Sequence, residues 1–82
     1  MKLPRNAGGE ELANLLGRYG YELTRQTGSH MRLSKTVGEE HHITIPRHKP
    51  LKVGTLNGII RDVAEHLGSD RNTLIEELFG RR

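Results

Sequence analysis

An α+β fold is what this sequence predicts, and three observations predict it. One helical stripe of apolar residues precedes residue 20, three short alternating segments fill the middle, and two further helical stripes close the chain. The order is α-β-β-β-α with one short extra helix, and the short links between the alternating segments imply an antiparallel meander. Such an order builds a two-layer domain with its helices on one side of a three-stranded sheet. At 82 residues the whole chain, 1–82, is expected to be a single domain around one modest core.

Leu12, Leu15, Leu16 and Tyr19 fall at i, i+3, i+4 and i+7, the spacing of a helix from about Gly9 to Arg18. Glu10 and Glu11 in its first turn and Arg18 in its last complement the helix dipole. Gly8 is the expected N-cap and Gly20 the expected stop. The next three segments alternate as half-buried strands do. Tyr21 and Leu23 share a face in Tyr21–Gln26, Met31 and Leu33 in His30–Ser34, and Ile43 and Ile45 in His41–Pro46. Thr27-Gly28-Ser29 and Lys35–Glu40 connect them. Strict alternation then sends Glu22, Thr24, Gln26, His30, Arg32, Ser34, His42 and Thr44 to the open face, which an antiparallel sheet can leave to water. Pro46 and Pro50 bracket a basic loop, Arg47-His48-Lys49-Pro50-Leu51-Lys52. A second helix follows with Leu56, Ile59, Ile60, Val63 and Leu67 on one stripe and Gly68 as its stop. Ser69 or Asp70 is positioned to cap a third helix carrying Leu74, Ile75, Leu78 and Phe79, and Arg81-Arg82 form a frayed tail.

Composition narrows the function. The chain has 13 Lys+Arg against 10 Asp+Glu, five His, no Cys and no Trp. Without cysteine there is no disulfide, thiolate zinc site or Cys nucleophile, which suits a reducing cytoplasm. The opening MKLPRNAGGEEL has no apolar run of signal-peptide length, and no stretch approaches a membrane span, so a cytoplasmic protein is expected. The charge is unevenly spread: +1 over residues 1–20, +3 over 21–52 and −1 over 53–82. The middle third also holds His30, His41, His42 and His48, so groups suited to phosphate contact and to proton transfer coincide.

His30 is the foremost candidate for chemistry. It follows Gly28-Ser29, opens a strand, and its phase opposite Met31 and Leu33 sets it on the open face. Both protonation states of an imidazole are populated near neutral pH, as general acid or base work requires. The plainer reading is a surface residue. His41 and His42 are adjacent in a strand and point to opposite faces, so they cannot share one ion, and no metal site is expected. Ser29 beside His30 lacks the third member of a nucleophilic triad. Lys49 and Lys52 precede Val53-Gly54-Thr55, where the second helix begins and its dipole favours an anion. A solvated helix entry is the competing view of those lysines.

These residues resemble the HicA toxins of toxin–antitoxin systems, small mRNA interferases with a double-stranded-RNA-binding-domain-like fold. The resemblance is carried by KLPRN at Lys2–Asn6, GRYGYEL at Gly17–Leu23, RQTGSH at Arg25–His30 and IPRHKPLKVGTLNGIIRD at Ile45–Asp62. GSH and KxGTL are its most specific pieces. Met31 and Arg32 stand where family members often carry a second His or an aromatic. The resemblance implies that His30 is the catalytic residue of a metal-independent endoribonuclease that needs no cofactor. RNA phosphates would dock on Lys49, Lys52 and the start of the second helix, with Arg32, Arg47 and His48 adding to RNA binding. Gly28, Ser29 and His42 would support the site. A HicB-type antitoxin would cover the open face in a hetero-oligomer. Two other readings remain beside it: a non-catalytic double-stranded-RNA-binding module, and a helix-turn-helix DNA-binding domain formed by the last two helices. The net −1 of that region speaks against the second.

Overall fold

The computed structural model describes residues 3–80. Its elements are α1 (Gly9–Leu16), a 3₁₀ turn (Gly17–Tyr19), β1 (Glu22–Thr27), β2 (His30–Lys35), β3 (His41–Pro46), α2 (Val53–Leu67) and α3 (Arg71–Phe79). The expected α+β order is therefore present, extra C-terminal helix included. The Arg81-Arg82 tail lies outside the described residues. Two compact units emerge, Asn6–Leu51 and a second built on α2 and α3. No helix among the described residues is long and apolar enough to cross a membrane.

In the first unit, α1 packs against β1 and β3. Gly8 is its N-cap and, having no side chain, supplies half a capping box: the Gly8 N–H donates to Glu11 Oε1 at 3.4 Å. The helix is shorter than its stripe suggested. It ends at Leu16, tightens into the 3₁₀ turn and stops at Gly20. Leu12, Leu16, Tyr21, Met31, Leu33, Ile43 and Ile45 are buried and form the core of this unit.

The sheet has the order β1-β2-β3, antiparallel throughout. Thr27 pairs with His30, so the first connection is the two-residue loop Gly28-Ser29 rather than three residues. Gly28 has φ 58° and Ser29 has an ordinary φ, the pattern of a type II′ hairpin, in which the first central position must be left-handed. β2 and β3 alternate as expected, with Leu33 opposite Ile43 and Met31 opposite Ile45 on the core side.

β1 departs from strict alternation. A bulge lies between Leu23 and Arg25: Leu23 pairs with Leu33, and Arg25 already pairs with Arg32. The extra residue reverses the phase of everything beyond it. Gln26, expected on the open face, instead pairs with Met31 and lines the groove beneath α1 with Tyr21, Leu23 and Leu33. Arg25 and Thr27 take the open face. Leu23 stays 53% exposed because β1 is an edge strand.

In the second unit, Leu56, Ile59, Ile60, Val63 and Ala64 of α2 are buried, as are Leu74, Ile75 and Leu78 of α3. Leu67 is only half-buried. α2 closes with a Schellman pair, Gly68 N–H to the Glu65 carbonyl and Ser69 N–H to the Ala64 carbonyl. Between the two candidate caps, Asp70 is the one used: its Oδ1 accepts from Thr73 N–H at 2.8 Å. Hydrogen bonds from the Thr73 backbone and hydroxyl hold this carboxyl below its ordinary value of 3.8. A depressed folded-state pKa stabilises above the unfolded value and fades as pH falls through the folded one. Asp70→Asn keeps a cap but no charge, so its thermal midpoint should lie below wild type near neutrality. The gap should close as pH drops below about 4; a gap independent of pH would exclude the charged cap.

Candidate active site

The hairpin that joins β1 to β2 sets His30 at one end of the open face. Thr27, His30 and Pro46 form one rung across the sheet. Past Pro46 the pairing continues, because Arg47 N–H donates to the Ser29 carbonyl at 2.6 Å. The fold thus brings the start of the basic loop, seventeen positions on in sequence, beside Gly28-Ser29-His30. His30 is exposed, and among the described residues its imidazole carries no side-chain hydrogen bond. Both ring nitrogens are open to a ligand.

The basic loop is pinned at two points to the segment that enters α1. Gly9 N–H donates to the His48 carbonyl at 2.8 Å and Leu51 N–H to the Ala7 carbonyl at 2.8 Å. The loop is therefore a fixed shelf, with the exposed side chains of Arg47, His48 and Lys49 carried on it. Arg47 Nε donates to Glu10 Oε2 at the first turn of α1. Both side chains are largely exposed, and a surface ion pair contributes only about 0–1 kcal/mol, so a competing anion can displace that carboxylate. Lys52 stands in the second unit as the N-cap of α2.

Arg32 occupies the next open-face rung after His30, with Arg25 and Thr44 on either side. Arg25 was not among the candidate residues, because strict alternation points it inward; the bulge brings it out. The rung beyond holds Glu22, Ser34 and His42. There Ser34, buried at 6% exposure, is the centre of a polar cluster. Its Oγ lies 2.9 Å from Thr24 Oγ1 and 2.8 Å from His42 Nδ1, while His42 Nε2 reaches Glu40 Oε2 at 3.0 Å.

His42 thus shares the open face with His30, as its phase required, but the structure does not bring the two together. Ser34 is four residues along β2 from His30, roughly 13 Å at the usual strand rise. Both nitrogens of His42 are engaged as well. His41 turns to the other face, where its Nδ1 lies 2.6 Å from the Tyr21 hydroxyl.

A small α+β chain that presents one unencumbered histidine beside a shelf of cations on an open sheet is built to act on, or hold, an extended anion. Residues 9–64 match the family model described as HicA toxin of bacterial toxin–antitoxin. The chain belongs to this family, and is the toxin of a toxin–antitoxin system, which implies an antitoxin partner. The matched residues take in the hairpin, the basic loop and most of α2, and leave out α3. Neither the curated proteins nor the solved structures give a match.

Proposed function

We propose that this chain is an mRNA endoribonuclease whose general base is His30, and that it blocks translation by cutting messages. The observation that carries the proposal is the pairing of Arg47 N–H with the Ser29 carbonyl, which joins a free imidazole to the cationic shelf in one rigid hairpin corner. His30 takes the proton from a ribose 2′-hydroxyl. The 2′-oxygen forms its bond to the adjacent phosphorus as the bond from phosphorus to the 5′-oxygen breaks. One product ends in a 2′,3′-cyclic phosphate and the other in a 5′-hydroxyl. No metal is required, because the substrate supplies its own nucleophile and the protein supplies proton transfer and positioning.

Arg32, Arg47, His48, Lys49 and Lys52 are the RNA-binding cations of this reading, with Gly28 and Ser29 setting the position of His30. The leaving 5′-oxygen needs a proton. Of the other histidines, His48 is better placed than His42, since it directly follows the residue bonded to Ser29. A HicB-type antitoxin would act by covering the open face, and an acidic surface on it would be steered there by the cations.

The test is a cleavage assay of the purified full chain on an mRNA transcript in EDTA. The expected products carry 2′,3′-cyclic phosphate and 5′-hydroxyl ends, and 2′-deoxy substitution at the cleaved step blocks the cut. Cleavage at a 2′-deoxy step, or dependence on added metal, would overturn the mechanism.

A further inference from the structure

Beyond the residues named so far, the open face carries an arrangement that folding alone does not favour. The bulge in β1 sets Arg25 directly across from Arg32, two guanidinium-bearing residues on one rung. Like charges directly opposite each other across strands are destabilising. Among the described residues no carboxylate pairs with either, and both are exposed. The bulge itself is tied down by Thr24, whose Oγ1 donates to the Arg32 carbonyl at 3.3 Å and lies 2.9 Å from Ser34 Oγ. The strand is therefore held in the register that juxtaposes the two arginines.

Charge along the face is ordered. The Thr27, His30 and Pro46 rung comes first, the Arg25, Arg32 and Thr44 rung second, and the third rung bears Glu22, with Glu40 at His42. Same-face residues repeat every two positions, about 6.5 Å along a strand, a distance comparable to one step of an RNA backbone. A paired guanidinium rung matches a phosphate because each fork can bond two of its oxygens. The acidic third rung repels the strand beyond that point.

We infer that Arg25 and Arg32 form a two-guanidinium clamp for the RNA phosphate next to the one on which His30 acts. The inference rests on the endoribonuclease reading, which it extends by one residue, Arg25, and by a direction for the substrate strand across the sheet.

The test separates binding from cleavage by using a fluorescent 2′-O-methyl oligoribonucleotide, which keeps its phosphates and lacks the nucleophile. Anisotropy titrations of the full chain between about 50 and 200 mM salt give both affinity and its salt slope. Arg25→Gln and Arg32→Gln should each weaken binding by about tenfold or more, and each should lower the slope by roughly one. Arg25→Lys should keep the slope while losing part of the affinity. Gln26→Ala should change neither, because the bulge turns residue 26 to the other face. Removing one of two facing like charges should not lower the thermal midpoint, which checks the fold. An Arg25→Gln chain that binds within twofold of wild type with an unchanged slope would overturn the clamp, even if unmethylated RNA is still cut in a His30-dependent way. If unmethylated RNA is not cut at all while Arg25→Gln weakens binding, the endoribonuclease reading fails and the clamp stands as an RNA-binding rung.

Discussion

Replacing His30 with Ala is expected to abolish RNA cleavage in EDTA and to relieve growth arrest when the chain is expressed alone, with the fold unchanged. A positioned general acid or base contributes about 10²–10⁴-fold to a rate. His42 shares its face but lies about four strand residues away, with Ser34 and Glu40 on its two nitrogens. His42→Ala should therefore reduce cleavage far less than His30→Ala. Because His30 is exposed at a hairpin, its removal leaves no cavity and no unpaired partner. Circular dichroism and the melting temperature should match wild type. Full cleavage by the His30→Ala chain would sink the assignment, and equal losses for both variants would point to a binding surface without a dedicated base.

The face on which His30 lies was legible in the sequence because β2 alternates from His30 to Leu33, with Met31 and Leu33 buried and His30 and Arg32 exposed. β1 misled for a physical reason. Leu23 and Thr27 are an even number of residues apart, so alternation places them on one face, yet Leu23 pairs with the inward-facing Leu33 and the hairpin sends Thr27 outward opposite His30. One inserted residue is the solution, and it falls at Thr24. The conflict could have been found by treating Gly28-Ser29 as a two-residue II′ loop and counting pairs back from it, which puts Arg25 across from Arg32. The hydrogen bonds that anchor the basic loop had no such signal. They join backbone groups of residues 7 and 9 to those of residues 51 and 48, and backbone groups are the same in every sequence.

One side-chain requirement does mark that anchorage, and it supports the second large expected effect. Gly9→Ala should destabilise the chain by about 1–3 kcal/mol, the range for inserting atoms into a packed site, and lower the melting temperature by roughly 10 °C. A Cβ at residue 9 would overlap the Pro46 carbonyl oxygen and sit 3.0 Å from its carbon and 3.3 Å from Arg47 Cα. These are main-chain atoms and cannot swing aside as a side chain would. Pro46 is held by its pairing with His30, and the loop beyond it by the bonds from Gly9 and Leu51. Alanine's better helix propensity offsets only part of this, since residue 9 is the first of the helix. Gly58 provides the control: it is exposed within α2, a Cβ there meets nothing within 4 Å, and Gly58→Ala should stabilise by about 0.5–1 kcal/mol. Relief of the overlap must move α1 or the shelf, so Gly9→Ala should also slow RNA cleavage at temperatures where the chain remains folded. Urea unfolding midpoints that shift in the same direction for both glycine variants would show that helix propensity, and not the closeness of α1 to the loop, decides the outcome.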